Sequence, residues 1–331
     1  MAPIVLPPNQ PKDRFYKGGR QIDALRSTGP SDEFQPEDWV ASTTCCNGCT
    51  DSKIGMTTLP DGRMLADAVA SDSEYWLGKG HLAKFGIDTK LLFKLLDAGQ
   101  RLPVHAHPHV DWARTHLNRN HGKAEAWYML TGGNIHLGLK EDVSKEQLLK
   151  WVVEQDVEAL LSRMHKIPVQ PHQTVYVPPG MLHAIGEGIL IVELQEPEDL
   201  SVLLEWKGFA IDGEKDGHLG LGFPTALTAV ESNARSVEEM EKLVSGPTKS
   251  GPTVAEPSRE YFRLDRSTID GRHTLEAGFA IMVVLEGEIT MSTPSCPEMA
   301  LKKGATVVIP HGDGEFTLAG EGDVLVARPP V

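Results

Sequence analysis

The 331-residue chain is 40% hydrophobic and 24% charged, an ordinary globular composition with room for two domains of usual size. Its net charge of −14 disfavours nucleic acid and anionic membranes as partners. It says little about a small substrate, because a local basic pocket can sit in an acidic protein. No apolar run approaches the ~18 residues of a membrane span. The opening MAPIVLPPNQ lacks the basic and apolar regions of a signal peptide, so the cytoplasm is the expected compartment.

Along the chain, the first chemical feature is a cysteine group, Cys45, Cys46 and Cys49, with Cys296 far away. Cys46 and Cys49 have the two-residue gap of a metal or redox pair. No second pair completes a tetrahedral site, so a loop rich in small residues and free thiols is expected. Lys90 to Leu96 is apolar enough for a short strand or a helix, and periodicity does not choose between them. Ser144 and Ser236 each precede a helical pattern and have Gln147 or Glu239 three places on, the spacing of a capping box. A further amphipathic stretch runs from Val157 to Met164.

Short β-branched runs include Val175-Tyr-Val, Ile189-Leu-Ile-Val and Ala280-Ile-Met-Val-Val-Leu, separated by turn formers among 32 Gly and 23 Pro. They read as strands of a sandwich or barrel. The polar, proline-broken segment from Lys249 to Pro257 leads into a second strand-rich unit, roughly 258 to 331.

His105 and His107 stand two apart, so a strand would turn both imidazoles to one face. Glu125 follows in Gly122-Lys-Ala-Glu, and Pro178-Pro-Gly180-Met-Leu-His183 places another imidazole after a turn. Three nitrogen donors and one carboxylate suit Zn, Fe, Mn, Co or Ni. His109, His116 and His121 are expected to be solvated or rim residues, and His311 stands alone.

This pattern resembles the cupin family. Gly99, His105, His107, Glu125 and Gly132 fit its first motif with a lengthened gap, and Pro178, Gly180 and His183 fit its second. The resemblance implies a mainly β fold of two cupin (jelly-roll) domains with a few short helices. The expected division is a metal-binding catalytic domain with a helical insertion over 1–228 and a smaller metal-free one over 229–331.

A narrower resemblance lies in Leu92-Phe-Lys-Leu-Leu-Asp-Ala-Gly, Val104-His-Ala-His-Pro, Gly122-Lys-Ala-Glu-Ala-Trp-Tyr and Pro178-Pro-Gly-Met-Leu-His-Ala-Ile. These segments look like the core of type I mannose-6-phosphate isomerases. Glu37-Asp-Trp-Val-Ala-Ser and the stretch from Leu301 to Glu321 fall where that family has similar segments. The resemblance implies a zinc-dependent aldose–ketose isomerase of carbohydrate metabolism. Its Gln, His, Glu, His ligand set falls on His105, His107, Glu125 and His183, with histidine replacing the glutamine. Lys123 matches a family lysine and is the expected catalytic residue, stabilising oxyanions or relaying protons; Lys94 matches another. The arginines usual after the second motif are absent from Asp199 to Gly208 and from Lys215 to Gly222. The expected partner is therefore a sugar or sugar phosphate, with an unphosphorylated or atypical sugar left open. The alternatives from the same ligand set are a cupin oxygenase with a three-His, one-Glu iron site and a non-catalytic sugar-binding cupin.

Overall fold

The computed structural model describes residues 2–47, 51 and 53–331. Three antiparallel sheets carry the fold among them. The first has six strands, in the spatial order Val244–Ser245, Thr174–Val177, Glu125–Met129, Leu190–Gln195, Leu92–Asp97 and Glu37–Val40. The second has five, in the order Val202–Leu203, His105–Ala106, His183–Ile185, Gly133–Leu139 and Met164–Val169. The ambiguous Lys90 to Leu96 segment is thus a strand. Every residue of Leu92–Asp97, Glu125–Met129 and Leu190–Gln195 is buried, as expected of strands covered on both faces.

The third sheet has seven strands, built around Arg263–Leu275, Ala280–Ser292 and Phe316–Arg328, each of 13 residues. These are longer than the apolar runs suggested, because their far halves are polar and half-exposed. The N-terminal strand Ile4–Leu6 joins this sheet beside Thr306–Ile309, while Val244–Ser245 returns to the six-stranded sheet beside Thr174–Val177. The chain therefore stitches the two ends of the molecule together. One apolar cluster runs through both, from Phe93 and Trp127 to Phe262 and Leu325. His311 takes part in this seam: a Cβ at Gly78, which has φ +82°, would lie 2.6 Å from its ring.

The helices are short, the longest described being the ten residues of Lys145–Glu154. Val157–Arg163 follows it as expected. The reciprocal capping box forms at Ser236 and Glu239, and that helix ends at Glu241 because Val244 and Ser245 are drawn into a sheet. At Ser144 the side chain accepts from the Gln147 N–H. Further short helices at Arg20–Arg26, Leu65–Ser71, Lys79–Phe85 and Val110–Leu117 have no side-chain cap, whereas at Ser73–Leu77 the Asp72 side chain accepts from the Tyr75 N–H. No helix is long and apolar enough to cross a membrane among the described residues.

Candidate metal centre

The six- and five-stranded sheets face each other, and the sequence-predicted residues meet between them. His105 pairs with His183 across the five-stranded sheet, and Leu203 pairs with His105 on its other side. Glu125 comes from the opposing sheet, where it pairs with Val177 and Gln195. Gly180 aims the His183 strand. It adopts φ +87°, which favours glycine, and its N–H donates to the His107 carbonyl at 2.6 Å.

The three imidazoles are oriented alike. Nδ1 of His105 lies 2.8 Å from the Pro103 carbonyl, Nδ1 of His107 lies 2.7 Å from that of Leu200, and Nδ1 of His183 lies 2.9 Å from that of Met181. A carbonyl can only accept, so each Nδ1 carries the hydrogen and each Nε2 is left with its lone pair. The three ring centroids lie 4.1–4.9 Å apart. Burial lowers all three pKa values, well below normal for His105, to about 4 for His107 and to about 3 for His183, which keeps the rings neutral.

The carboxylate completes the group. Glu125 Oε1 is 2.9 Å from His107 Nε2 and 2.8 Å from Lys123 Nζ, and Oε2 is 3.8 Å from His183 Nε2. Burial pushes its pKa up, but the Lys123 ammonium beside it holds it well below the usual range, so it is ionised. The His183 Nε2 is buried and has no hydrogen-bond partner. Such an atom is costly in a protein interior unless something binds it. The ligand atoms of His105, His107 and His183 lie within 4.8 Å of one another and could hold a metal ion. The donor set fits a divalent ion of the zinc or iron type.

Sequence reasoning missed the wall beside this group. Trp127, Glu193, Lys94 and Trp39 form one row across the six-stranded sheet. The Trp127 Nε1–H is shared between Glu125 Oε2 at 3.0 Å and Glu193 Oε1 at 3.2 Å. Lys94 Nζ lies 3.6 Å from Glu193 and 4.0 Å from Glu37, over the Trp39 ring at 4.4 Å. Glu37 also accepts from Tyr16 Oη and from Trp39 Nε1 and faces Arg14 at 3.3 Å. Burial and the nearby Glu125 raise the Glu193 pKa. A cavity of about 710 Å³ opens over this wall and over His105, Lys123, Glu125 and His183.

The other histidines stand apart from the group. His121 pairs with Asp88 at 3.0 Å, His116 lies against Trp112, and His109 precedes the helix Val110–Leu117. Cys46 is buried, and burial raises its thiol pKa. Cys49, across the two-residue gap, lies outside the described residues.

A mainly β molecule with a jelly-roll cleft holding histidines and a carboxylate is a cupin. The family model for the cupin domain of mannose-6-phosphate isomerase matches residues 253–329. The mannose-6-phosphate isomerase ManA of Bacillus subtilis is 30% identical over 267 residues, 77% of this chain and 81% of that one. The probable mannose-6-phosphate isomerase GmuF of the same organism is 26% identical over 330 residues, 96% of each chain. A putative mannosephosphate isomerase from Archaeoglobus fulgidus superposes with a TM-score of 0.79 at 20% identity, over 100% of this chain and 99% of that one. The B. subtilis mannose 6-phosphate isomerase does so with 0.76 at 23%, over 99% and 100%. The chain belongs to the mannose-6-phosphate isomerase family and is a sugar isomerase.

Proposed function

We propose that the protein is a metal-dependent aldose–ketose isomerase whose metal, zinc in the first instance, is held by His105, His107, Glu125 and His183. The observation that carries this reading is the unpartnered His183 Nε2, buried beside two more imidazoles with their Nδ1 atoms tied back and bordering a cavity of about 710 Å³. A divalent ion bound there supplies Lewis acidity that stabilises negative charge on a sugar oxygen.

The chain's own residues do the rest. An aldose–ketose isomerisation moves one proton between C1 and C2 and another between their oxygens. Lys123 Nζ, 2.8 Å from Glu125 and 3.2 Å from His107 Nε2, borders the cavity and holds a proton where those oxygens must lie. Glu125, 2.8 Å away, keeps the ammonium aimed. The backbone carbonyls of Pro103, Leu200 and Met181 fix the three rings, so little reorganisation is needed when charge develops.

The division of labour we propose is a catalytic metal unit over 1–228 and a smaller metal-free cupin over 229–331. In support, every residue lining the large cavity falls between Asp13 and Gly220. Proton NMR in D2O with zinc-loaded and chelator-stripped protein tests the activity. The reading expects ketose from an aldose with the loaded enzyme, fading on stripping and returning with zinc. No conversion of any free or phosphorylated aldose by loaded protein would sink it.

A further inference from the structure

We propose that the cavity takes an unphosphorylated sugar, a neutral polyhydroxy aldehyde or ketone, in preference to its phosphate ester; this rests on the isomerase reading above. A phosphate dianion needs donors that are free to turn to it, above all a guanidinium fork. The deep wall offers none. Arg14 lies 3.3 Å from Glu37 and 3.7 Å from Asp199, with its side chain 11% exposed. Lys94 is shared between Glu37 and Glu193, and Lys123 is held by Glu125. To recruit any of these three cations, a phosphate must compete for it with a buried carboxylate.

The carboxylates also act against the ester directly. Among the described residues, five lysine and arginine side chains line the cavity against six aspartates and glutamates. Glu37 and Asp199 are each less than 10% exposed, so a phosphate dianion near these two carboxylates is weakly screened and repelled. The two remaining cations belong to the mouth. Arg119 is 46% exposed in its side chain and 3.9 Å from Glu198, and Lys215 is exposed on the short helix Gly213–Asp216, next to Asp216. Water and salt screen such charges, so they give an anion little grip.

A neutral sugar meets the opposite situation. Its hydroxyls can donate to Glu37, Asp199 or Glu193 and can accept from Arg14 without breaking any ion pair. Leu203, in register with His105, presents an apolar side chain to the cavity, and Leu219 and Ile211 extend that apolar surface toward the mouth.

The test compares D-mannose, D-lyxose and D-fructose with mannose 6-phosphate and fructose 6-phosphate on the zinc-loaded full chain. The proposal expects kcat/KM for a free sugar to exceed that for either ester by about tenfold or more, the worth of one charged hydrogen bond. Equal or better turnover of an ester overturns it. If nothing is converted, the isomerase reading fails, and calorimetric Kd values on the same protein still decide the ligand class. Tighter binding of a free sugar upholds the inference; tighter binding of an ester, or no binding of any free sugar, overturns it. Leu203→Arg should shift the ratio of ester to free-sugar binding about tenfold toward the ester. An unchanged ratio in that variant, once it is shown to be folded, counts against the proposal.

Discussion

Nδ1 of His107 donates to the carbonyl oxygen of Leu200 across 2.7 Å, joining residues 93 apart in sequence. This bond fixes the tautomer and direction of a ring whose Nε2 faces Glu125, and Pro103 and Met181 do the same for His105 and His183. On the proposed reading the cluster is preorganised for metal, and a metal bound there would satisfy the unpartnered His183 Nε2.

Metal should consequently stabilise the fold. At zinc 100–1,000 times above its Kd the gain is about 3–4 kcal/mol, which for a protein of this size amounts to several degrees in Tm. Differential scanning calorimetry of stripped and reloaded protein checks this. The same Tm in both states would contradict a preformed site.

Lys123→Met should lower kcat by roughly 10²–10⁴-fold, the usual worth of a positioned acid or base. Metal content should stay at the wild-type level, because the three rings and Glu125 remain. Elemental analysis alongside turnover separates the two effects. Undiminished kcat would remove Lys123 from the chemistry.

Glu37 governs acid stability. Burial pushes its carboxyl up, but Arg14 and Lys94, with hydrogen bonds from Tyr16 and Trp39, hold it at about 2, against an ordinary value of 4.5. A depressed folded-state pKa stabilises fully above the unfolded value and is lost as pH falls through the folded one. About 3 kcal/mol should thus disappear between pH 4.5 and 2. Glu37→Gln should flatten that part of the curve and, at pH 7, destabilise by about 3–5 kcal/mol by leaving two buried cations short of a partner. Urea melts across this window provide the check, and an unaltered pH slope in the variant would refute the assignment.

Gly180→Ala should disturb the site from outside it. The φ of +87° strains any L side chain, and the added Cβ would meet the Ala229 carbonyl at 3.2 Å. The expected cost is about 1–2 kcal/mol, together with weaker zinc binding, because the Gly180 N–H anchors the His107 carbonyl. Chemical melts and zinc titration measure both; wild-type values for each would count against this role.

Much of the centre was legible because its residues follow strand and turn arithmetic. Two histidines at i and i+2, a carboxylate opening the strand Glu125–Met129 and a Pro-x-Gly turn before His183 are local patterns. The second wall was harder. Lys94, Glu193 and Glu37 sit in strands that read as wholly apolar or as loop edges, and their juxtaposition depends on sheet register. A signal was present: a lone lysine or glutamate within a fully buried strand must face a partner or a cavity. The helices Leu65–Ser71 and Lys79–Phe85 escaped because Met64 and Gly78 at their N-terminal ends make no side-chain capping bond, and Ser73–Leu77, though capped by Asp72, is only five residues long. The N-terminal strand Ile4–Leu6 and the returning Val244–Ser245 could not be assigned to sheets locally, since their partners lie at Thr306–Ile309 and Thr174–Val177.

Anomalous diffraction at the zinc edge from crystals of the zinc-loaded protein tests the central claim most directly. The account predicts one strong peak among His105 Nε2, His107 Nε2, His183 Nε2 and the Glu125 carboxylate, at ligand distances near 2.0–2.2 Å. A loaded, active crystal with that position empty, or with zinc bound only elsewhere, would contradict it.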